Sequence, residues 1–311
     1  MLVQGNGQSN GKIILIGEHS VVYGEPAIAF PFGGTQVNAT VQQAEKNFLT
    51  SRYYVGYLQN APEQLQSIKQ LAHKLQTDLH TPHFELDINS TIPAARGMGS
   101  SAAVAVAITR AFFSWSEQEL TQKKLLSFVN FAEKIAHGNP SGIDAAATSG
   151  EEPIFFERKQ EVTTFPMNID AYLLVADTGI LGQTREAVQS VAQRLHTFHD
   201  ETFSAIQELG ILTDQAKEAI IANQPEVLGE LMIKAHKRLK SLTVSNKLLD
   251  AFIQFSLENG ALGAKLTGGG RGGCFLALTK TKEQAEILAQ QLQERGIKET
   301  WIQGLGVYQY A

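Results

Sequence analysis

The pentapeptide Gly97-Met98-Gly99-Ser100-Ser101 opens a stretch, Ser100 to Trp115, that is apolar almost all round through Ala102 to Ile108. Phosphate recognition needs backbone N–H groups aimed at an anion. Glycines permit that close approach, and a helix N-terminus adds roughly +0.5 charge. A helix apolar on every side must be buried, so the N–H donors of its first turn need partners. An anion would satisfy them, and so would ordinary serine capping; the local pattern leaves both open.

Glu133 is the most telling single residue. At 100° per residue, Phe131, Ile135, Phe128, Ala132, Leu125, Ala136, Val129 and Leu126 form one arc, and Glu133 falls inside it, between Val129 and Leu126. A carboxylate placed there must be protonated, paired with a cation or bound to a metal. A salt bridge to Lys12 or Lys134 is the plain structural alternative. After that helix, His137-Gly138-Asn139-Pro140-Ser141-Gly142-Ile143-Asp144 is a turn-rich run that delivers Asp144 next to small residues; Asp144 could also be a simple cap. Lys12 begins an apolar strand and Glu18-His19 follows its end, which puts charged groups at both ends of a buried element.

Known phosphate-loop patterns can be tested directly. The Walker pattern fails near Gly11-Lys12, where Asn6 replaces the first glycine and Ile13 the hydroxyl residue. The dinucleotide fingerprint G-x-G-x-x-G fits Gly268, Gly270 and Gly273, but Cys274 to Leu278 reads as a strand where a helix is required. Its relaxed form fits Gly97, Gly99 and Ala102 with a helix following. Thr91 to Arg96 intervenes, however, where a dinucleotide fold turns at once. A nicotinamide-dependent oxidoreductase is therefore a weaker alternative. The glycine-rich run Thr267 to Gly273 lets another backbone or a ligand approach closely. His80 with His83, and His196 with His199 and Asp200, have spacings a metal could use, but no cysteine or third histidine completes a zinc set, and Cys274 reads as an inert buried thiol.

These residues need elements to hold them. Strands are expected at Lys12 to Gly17, Thr35 to Gln43, His83 to Ser90 and Tyr172 to Ala176, with an apolar stretch Tyr23 to Ala29 after a turn. Helices are expected at Pro62 to Leu79, Ser100 to Trp115 and Thr121 to His137. Beyond these, Thr184 to Leu209 closed by Gly210, Pro225 to Leu242, Asn246 to Asn259 and Thr281 to Arg295 are also helical. Strands Gly263 to Leu266 and Cys274 to Leu278 flank the glycine run, and Trp301 to Tyr308 is a last strand. At 311 residues two domains are the natural expectation, with a boundary near residue 180 and a cleft between the halves as the default ligand site.

The net charge of −5 supplies no basic stripe, which speaks against nucleic acid and anionic membrane partners. The longest apolar run, Ala102 to Ile108, is far short of the roughly 20 residues that span a bilayer. One cysteine excludes an internal disulfide, and the N-terminus has no basic segment followed by an apolar one; the expectation is a cytoplasmic protein. A two-fold dimer is the base-rate expectation for its assembly.

Taken together, these segments resemble the GHMP kinases, the superfamily of galacto-, homoserine, mevalonate and phosphomevalonate kinases. Three signatures occur in order: G-K-I-I-L-I-G-E-H-S-V-V-Y-G from Gly11, P-A-A-R-G-M-G-S-S-A from Pro93 and K-L-T-G-G-G-R-G-G-C from Lys265. Within the superfamily, Gly17 to Gly24 and His137 to Asp144 look like the mevalonate kinases, and no galactose-binding signature is found. Pro93-Ala94-Ala95-Arg96 departs from the commoner Pro-x-Gly-Ala-Gly-Leu wording, and Met98 replaces Leu.

The resemblance implies an α+β, two-domain architecture: a ribosomal protein S5 domain 2-like part over residues 1–180 and a ferredoxin-like part over 181–311. It implies that Pro93, Gly97, Met98, Gly99, Ser100, Ser101 and Ala102 bind the ATP phosphates, and that Ser101 and Glu133 hold Mg²⁺. Asp144 would face the acceptor hydroxyl as the catalytic base, with Lys12 beside it. Glu18, His19, Thr243 and Gly269 would lie on the acceptor side. The implied reaction is ATP-dependent phosphorylation of the primary hydroxyl of mevalonate, in isoprenoid synthesis. Phosphomevalonate or homoserine as acceptor, and a non-catalytic binding member, are the competing implications.

Overall fold

The computed structural model of the chain describes residues 2–138, 140–158, 160 and 162–306. The chain packs as two compact units that interleave in sequence. The first comprises the chain up to Lys12, Pro31–Pro93 and Gly99–Glu151; the second comprises Ile13–Phe30, Ala94–Met98 and the chain from Glu152 onward. Strands β1 (Gln4–Ile16) and β2 (Ala27–Gln43) pair with each other, and each contributes residues to both units.

In the first unit β2 pairs antiparallel with β5 (Phe84–Ser90), Val37 opposite Ser90 and Gln43 opposite Phe84. β3 (Phe48–Ser51) runs parallel to β5 and forms a hairpin with β4 (Tyr54–Tyr57), so the order is β4-β3-β5-β2. Val37, Ala39 and Val41 of β2 and Phe84, Leu86 and Ile88 of β5 are buried, the period of two that turns one sheet face to a core. That core is closed by α1 (Gln66–Asp78), α2 (Ser100–Ser116), α3 (Gln122–His137) and α4 (Ile143–Ser149), with α2 packed against the other three. Phe112 bridges Phe84 and Trp115 in edge-to-face contacts at 4.9 and 6.1 Å. As the all-round apolar pattern required, α2 is buried along nearly its whole length.

β1 begins eight residues before the expected Lys12. Its first half, Gln4 to Gly11, has no apolar pattern; a Cβ on Gly5 would lie 2.5 Å from the Trp115 backbone N, and one on Gly7 2.9 Å from the Arg110 Cβ. Close approach to α2, which only glycine allows there, makes this strand. Ala27 to Ala29, the end of the first of the two expected stretches, and Thr35 to Gln43 belong to a single strand, β2, while Tyr23 closes a 3-10 turn at Ser20–Tyr23. The run expected to be only a turn before Asp144 leads into α4.

In the second unit β6 (Ile154–Phe156) pairs with the start of β2 and with β7 (Thr163–Thr164). A separate antiparallel sheet has the order β11-β8-β10-β9, built from β8 (Tyr172–Asp177), β9 (Gly263–Leu266), β10 (Cys274–Thr279) and β11 (Glu299–Gly304). β8 is an inner strand of this sheet, with β10 and β11 as neighbours, so it packs with the C-terminal strands although it precedes residue 180. Helices α5 (Thr184–Thr197), α6 (His199–Ile221), α7 (Pro225–Ser241), α8 (Lys247–Glu258) and α9 (Lys282–Glu294) complete the unit.

The helix expected over Thr184 to Leu209 is two helices that break at Phe198, and Gly210 is no terminator but lies buried inside α6. A Cβ there would come within 2.8 Å of the Glu25 carboxyl carbon, so Gly210 is a packing site. The last strand ends at Gly304; Val307 and Tyr308, included in the expected strand, lie outside the described residues, as does Asn139. Among the described residues no helix is long and apolar enough to cross a membrane.

Candidate active site

In the first unit four elements converge. Lys12 of β1 is 1% exposed, and its ammonium lies 3.0 Å from the carboxylate of Asp144, the second residue of α4. Thr148, one turn on, donates its hydroxyl to the Asp144 carbonyl at 2.8 Å. Gly99 ends the glycine loop in the left-handed region at φ 70°; a Cβ there would sit 2.7 Å from the Lys12 Cγ and 3.3 Å from a Thr148 methyl. Only glycine lets the loop lie on the lysine stem.

α2 starts at Ser100 with Gly99 as its N-cap, and no side chain caps it. Of the two readings of this loop, serine capping is therefore not what the structure adopts. The N–H groups of the first turn retain the capacity to receive an anion.

Glu133 of α3 is buried, as its place in the apolar arc required. Burial raises its pKa above the ordinary carboxylate value; a hydrogen bond from Ser101 opposes the rise, nearby Asp144 adds to it, and His137 and Lys12 oppose it. The ammonium of Lys12 is paired with Asp144, so Lys12 is the weakest of the influences on Glu133 and not its salt-bridge partner, and Lys134 is exposed. The Glu133 Oε2 lies 3.9 Å from His137 Nε2, while its Oε1 is buried with no hydrogen-bond partner among the described residues. A buried oxygen left in this state costs free energy until a proton or a cation meets it. Among the described residues no three His, Cys, Asp or Glu side chains gather as a metal-binding group.

A second cluster lies in the second unit. Lys265, in the centre of the buried strand β9, is fully buried; it donates to the Glu18 carboxylate and, at 2.7 Å, to the Leu266 carbonyl. His19, at φ 62° and ψ −47°, has an unusual backbone for a non-glycine residue, and its Nε2 lies 3.1 Å from the Gly269 carbonyl. A carbonyl only accepts, so Nε2 carries the proton. Burial lowers the His19 pKa to about 4, the Gly269 hydrogen bond opposes that, and Lys265 and Arg271 reinforce it. The neutral ring therefore keeps Nδ1 as an acceptor. Thr267 donates to the Ile14 carbonyl at 2.9 Å, and the Cα of Gly268 lies 3.1 Å from where a Gly97 Cβ would be.

Thr243 stands at φ 62°, paired with Ser190 through hydroxyls 3.2 Å apart, and its carbonyl accepts from Arg271 Nε at 3.2 Å. The structure thus brings Lys12, Gly99, Ser101, Glu133 and Asp144 together in one unit, and Glu18, His19 and Gly269 in the other. Thr243 sits in its own polar cluster with Ser190 and Arg271. Lys265 carries no role in the sequence beyond opening the third signature, and Thr148 carries none at all. A lysine inside the apolar tetrapeptide Gly263 to Leu266 was the available signal for the first; a threonine one turn past Asp144 offered none.

His236 of α7 is a further buried imidazole of the second unit, 3.2 Å from the Asp250 carboxylate. Burial lowers its pKa to about 4; Asp250 opposes that, while Lys265 and Lys240 reinforce it. With the folded pKa below the unfolded value of about 6.5, the unfolded chain takes up this proton first, so the contribution to stability is complete above that pH and is lost on acidification toward pH 4. The stability advantage of the native chain over His236→Gln is expected to shrink between pH 7 and pH 5 in denaturant titrations. A constant difference would show that the imidazole is not held neutral.

Comparison with known proteins adds the family. The model of the GHMP kinases N terminal domain matches residues 66–151, and that of the GHMP kinases C terminal matches residues 216–298. The chain is 32% identical over 298 residues to mevalonate kinase of Pyrococcus furiosus, covering 88% of each. The crystal structure of mevalonate kinase from methicillin-resistant Staphylococcus aureus MRSA252 is similar at 34% identity and TM-score 0.76, over 98% of this chain and 100% of that one. The crystal structure of L. major mevalonate kinase in complex with R-mevalonate matches at 26% identity and TM-score 0.81, over 96% and 94%.

Proposed function

The chain belongs to the GHMP kinases, two-domain α+β enzymes that transfer phosphoryl groups from ATP to small metabolites, and on that premise we propose that its acceptor is mevalonate, converted to 5-phosphomevalonate. The observation that carries the chemistry is the Lys12–Asp144 pair in the same unit as an uncapped helix N-terminus and a buried carboxylate oxygen without a partner. Support for the acceptor comes from relatives above 30% identity over most of both chains that are mevalonate kinases.

Phosphoryl transfer is mostly positioning and stabilisation of charge on the transferred group. Gly97, Met98, Gly99, Ser100, Ser101 and Ala102, entered from Pro93, offer backbone N–H groups and helix dipole to the triphosphate. The Asp144 carboxylate accepts the proton of the primary hydroxyl as that oxygen attacks the γ-phosphorus and the bond to the ADP oxygen breaks. Lys12 holds Asp144 at 3.0 Å and offers its charge to the γ-phosphoryl oxygens. His19, neutral with Nδ1 as acceptor, suits a hydroxyl of the acceptor molecule, with Glu18 next to it in sequence and the Gly269 carbonyl holding the ring.

Ser101 and Glu133 fit a magnesium ion, since both are hard oxygen donors and one Glu133 oxygen is buried and unsatisfied. Ser101 and Glu133 would hold the ion, which when bound would supply neutralisation of phosphate charge. Replacing Glu133 by Gln keeps the shape and removes the charge, so the KM for MgATP is expected to rise about tenfold, with a higher magnesium requirement. An unchanged magnesium titration would return Glu133 to a purely structural role. The acceptor is tested by ADP release with mevalonate, phosphomevalonate, homoserine and galactose, with and without magnesium; turnover with any of the others and not with mevalonate overturns the assignment.

A further inference from the structure

The loop wording that departs from the family pattern has a structural counterpart. Ala95, where the commoner wording has glycine, adopts φ 56°, a left-handed conformation that disfavours a Cβ. Arg96, where that wording has alanine, sends its guanidinium to Asp177 at the end of β8: Nε lies 2.8 Å from Oδ1 and 3.0 Å from Oδ2. Its Nη2 donates to the Gly179 carbonyl at 3.1 Å, and Asp177 Oδ1 accepts the Gly179 N–H at 2.9 Å. Both side chains are largely buried, at 14% and 6% exposure. The backbone joins in, with Gly182 N donating to the Ala95 carbonyl at 2.8 Å and Cys274 N to the Arg96 carbonyl at 3.3 Å.

All these partners belong to the second unit, to which Ala94–Met98 also belongs, and the next residue, Gly99, is the N-cap of α2 in the first. We propose that the Arg96–Asp177 ion pair fixes the course of the phosphate loop, making Arg96 a positioning residue for ATP that acts through the backbone of residues 97–101 without itself being a ligand. This rests on the reading of that loop as the triphosphate site. The guanidinium is held at two points, Nε on the Asp177 carboxylate and Nη2 on the Gly179 carbonyl, which fixes direction as well as distance in a way a single ammonium cannot. Misplacing a binding loop by about 1 Å costs up to about a hundredfold in rate.

The experiment is steady-state kinetics of the full chain with mevalonate and MgATP for Arg96→Ala, Arg96→Lys, Asp177→Asn and the Arg96→Ala/Asp177→Asn double variant. Thermal unfolding of each is measured in parallel. The expected result is a KM for MgATP about tenfold higher in all three single variants, a KM for mevalonate within about twofold, and a double variant no worse than either alanine or asparagine change alone. Normal MgATP affinity in Asp177→Asn overturns the proposal. So does restoration by lysine, which would make Arg96 a direct phosphate ligand, and so does a loss of melting temperature with unchanged MgATP KM. If Arg96→Ala fails to fold, Arg96→Lys and Asp177→Asn decide alone. Ser101→Ala separates the two readings: if it too leaves MgATP affinity unchanged, the loop assignment falls; if it weakens MgATP and the Arg96 variants do not, only the ion-pair role falls.

Discussion

Asp144→Asn is expected to lower kcat by at least about two orders of magnitude while MgATP binding changes little. The amide has the shape of the carboxylate and can still accept from Lys12, so the 3.0 Å contact, the start of α4 and the Thr148 bond to the backbone carbonyl all have reason to persist. The amide cannot take a proton from the attacking hydroxyl. A positioned base contributes about 10²–10⁴ in rate, and that is the part removed. Asp144 itself is 36% exposed, but the buried Lys12 ammonium keeps only the amide oxygen in place of its counter-charge, so some loss of melting temperature is expected beside the loss of kcat. Measuring kcat by coupled ADP release, with nucleotide affinity by calorimetry on the same samples, separates the two. Turnover within a few fold of the native chain would remove Asp144 from the mechanism.

The parts of this site that could be read from sequence are those with local periodicity or a contiguous motif. Glu133 announces itself because seventeen-odd residues of helix place it among apolar neighbours, and the cost of burying a lone carboxylate needs no knowledge of the fold. The same holds for α2, whose all-round apolar composition demands burial and so makes its glycine-serine start conspicuous. The pairing of Lys12 with Asp144 is different. It joins a strand near the N-terminus to a short helix whose first two residues end a turn-rich run, and nothing local couples them. Glycine also misled. Gly210 looked like a helix terminator but sits inside α6 against Glu25, while Gly5 and Gly7, which carry no apolar pattern, form strand against α2. In each instance a close approach from a distant segment decides, and local propensity yields to it.

Lys265 is the sharpest instance, because its meaning lies wholly in a partner some 250 positions away in sequence: the Nζ that donates to Glu18 is fully buried. Burial lowers the Lys265 pKa, and the charge and hydrogen bond of Glu18 oppose that shift. Lys265→Met keeps the length and the apolar stem within β9 but takes the ammonium from a buried carboxylate. Removing one member of a buried ion pair costs about 3–5 kcal/mol, so the variant is expected to lose stability on that scale in urea titrations. Adding Glu18→Gln should recover most of the loss, since the remaining side chain is then neutral, so the double-mutant cycle should give a coupling at least as large as that recovery. Recovery of stability need not bring recovery of activity. With Glu18 on the acceptor side, next in sequence to His19 and its bond to Gly269, the double variant is expected to fold and yet show a raised KM for mevalonate. A double variant as unstable as Lys265→Met alone would mean that the lysine stabilises the second unit by packing its stem, and that the ion pair adds nothing.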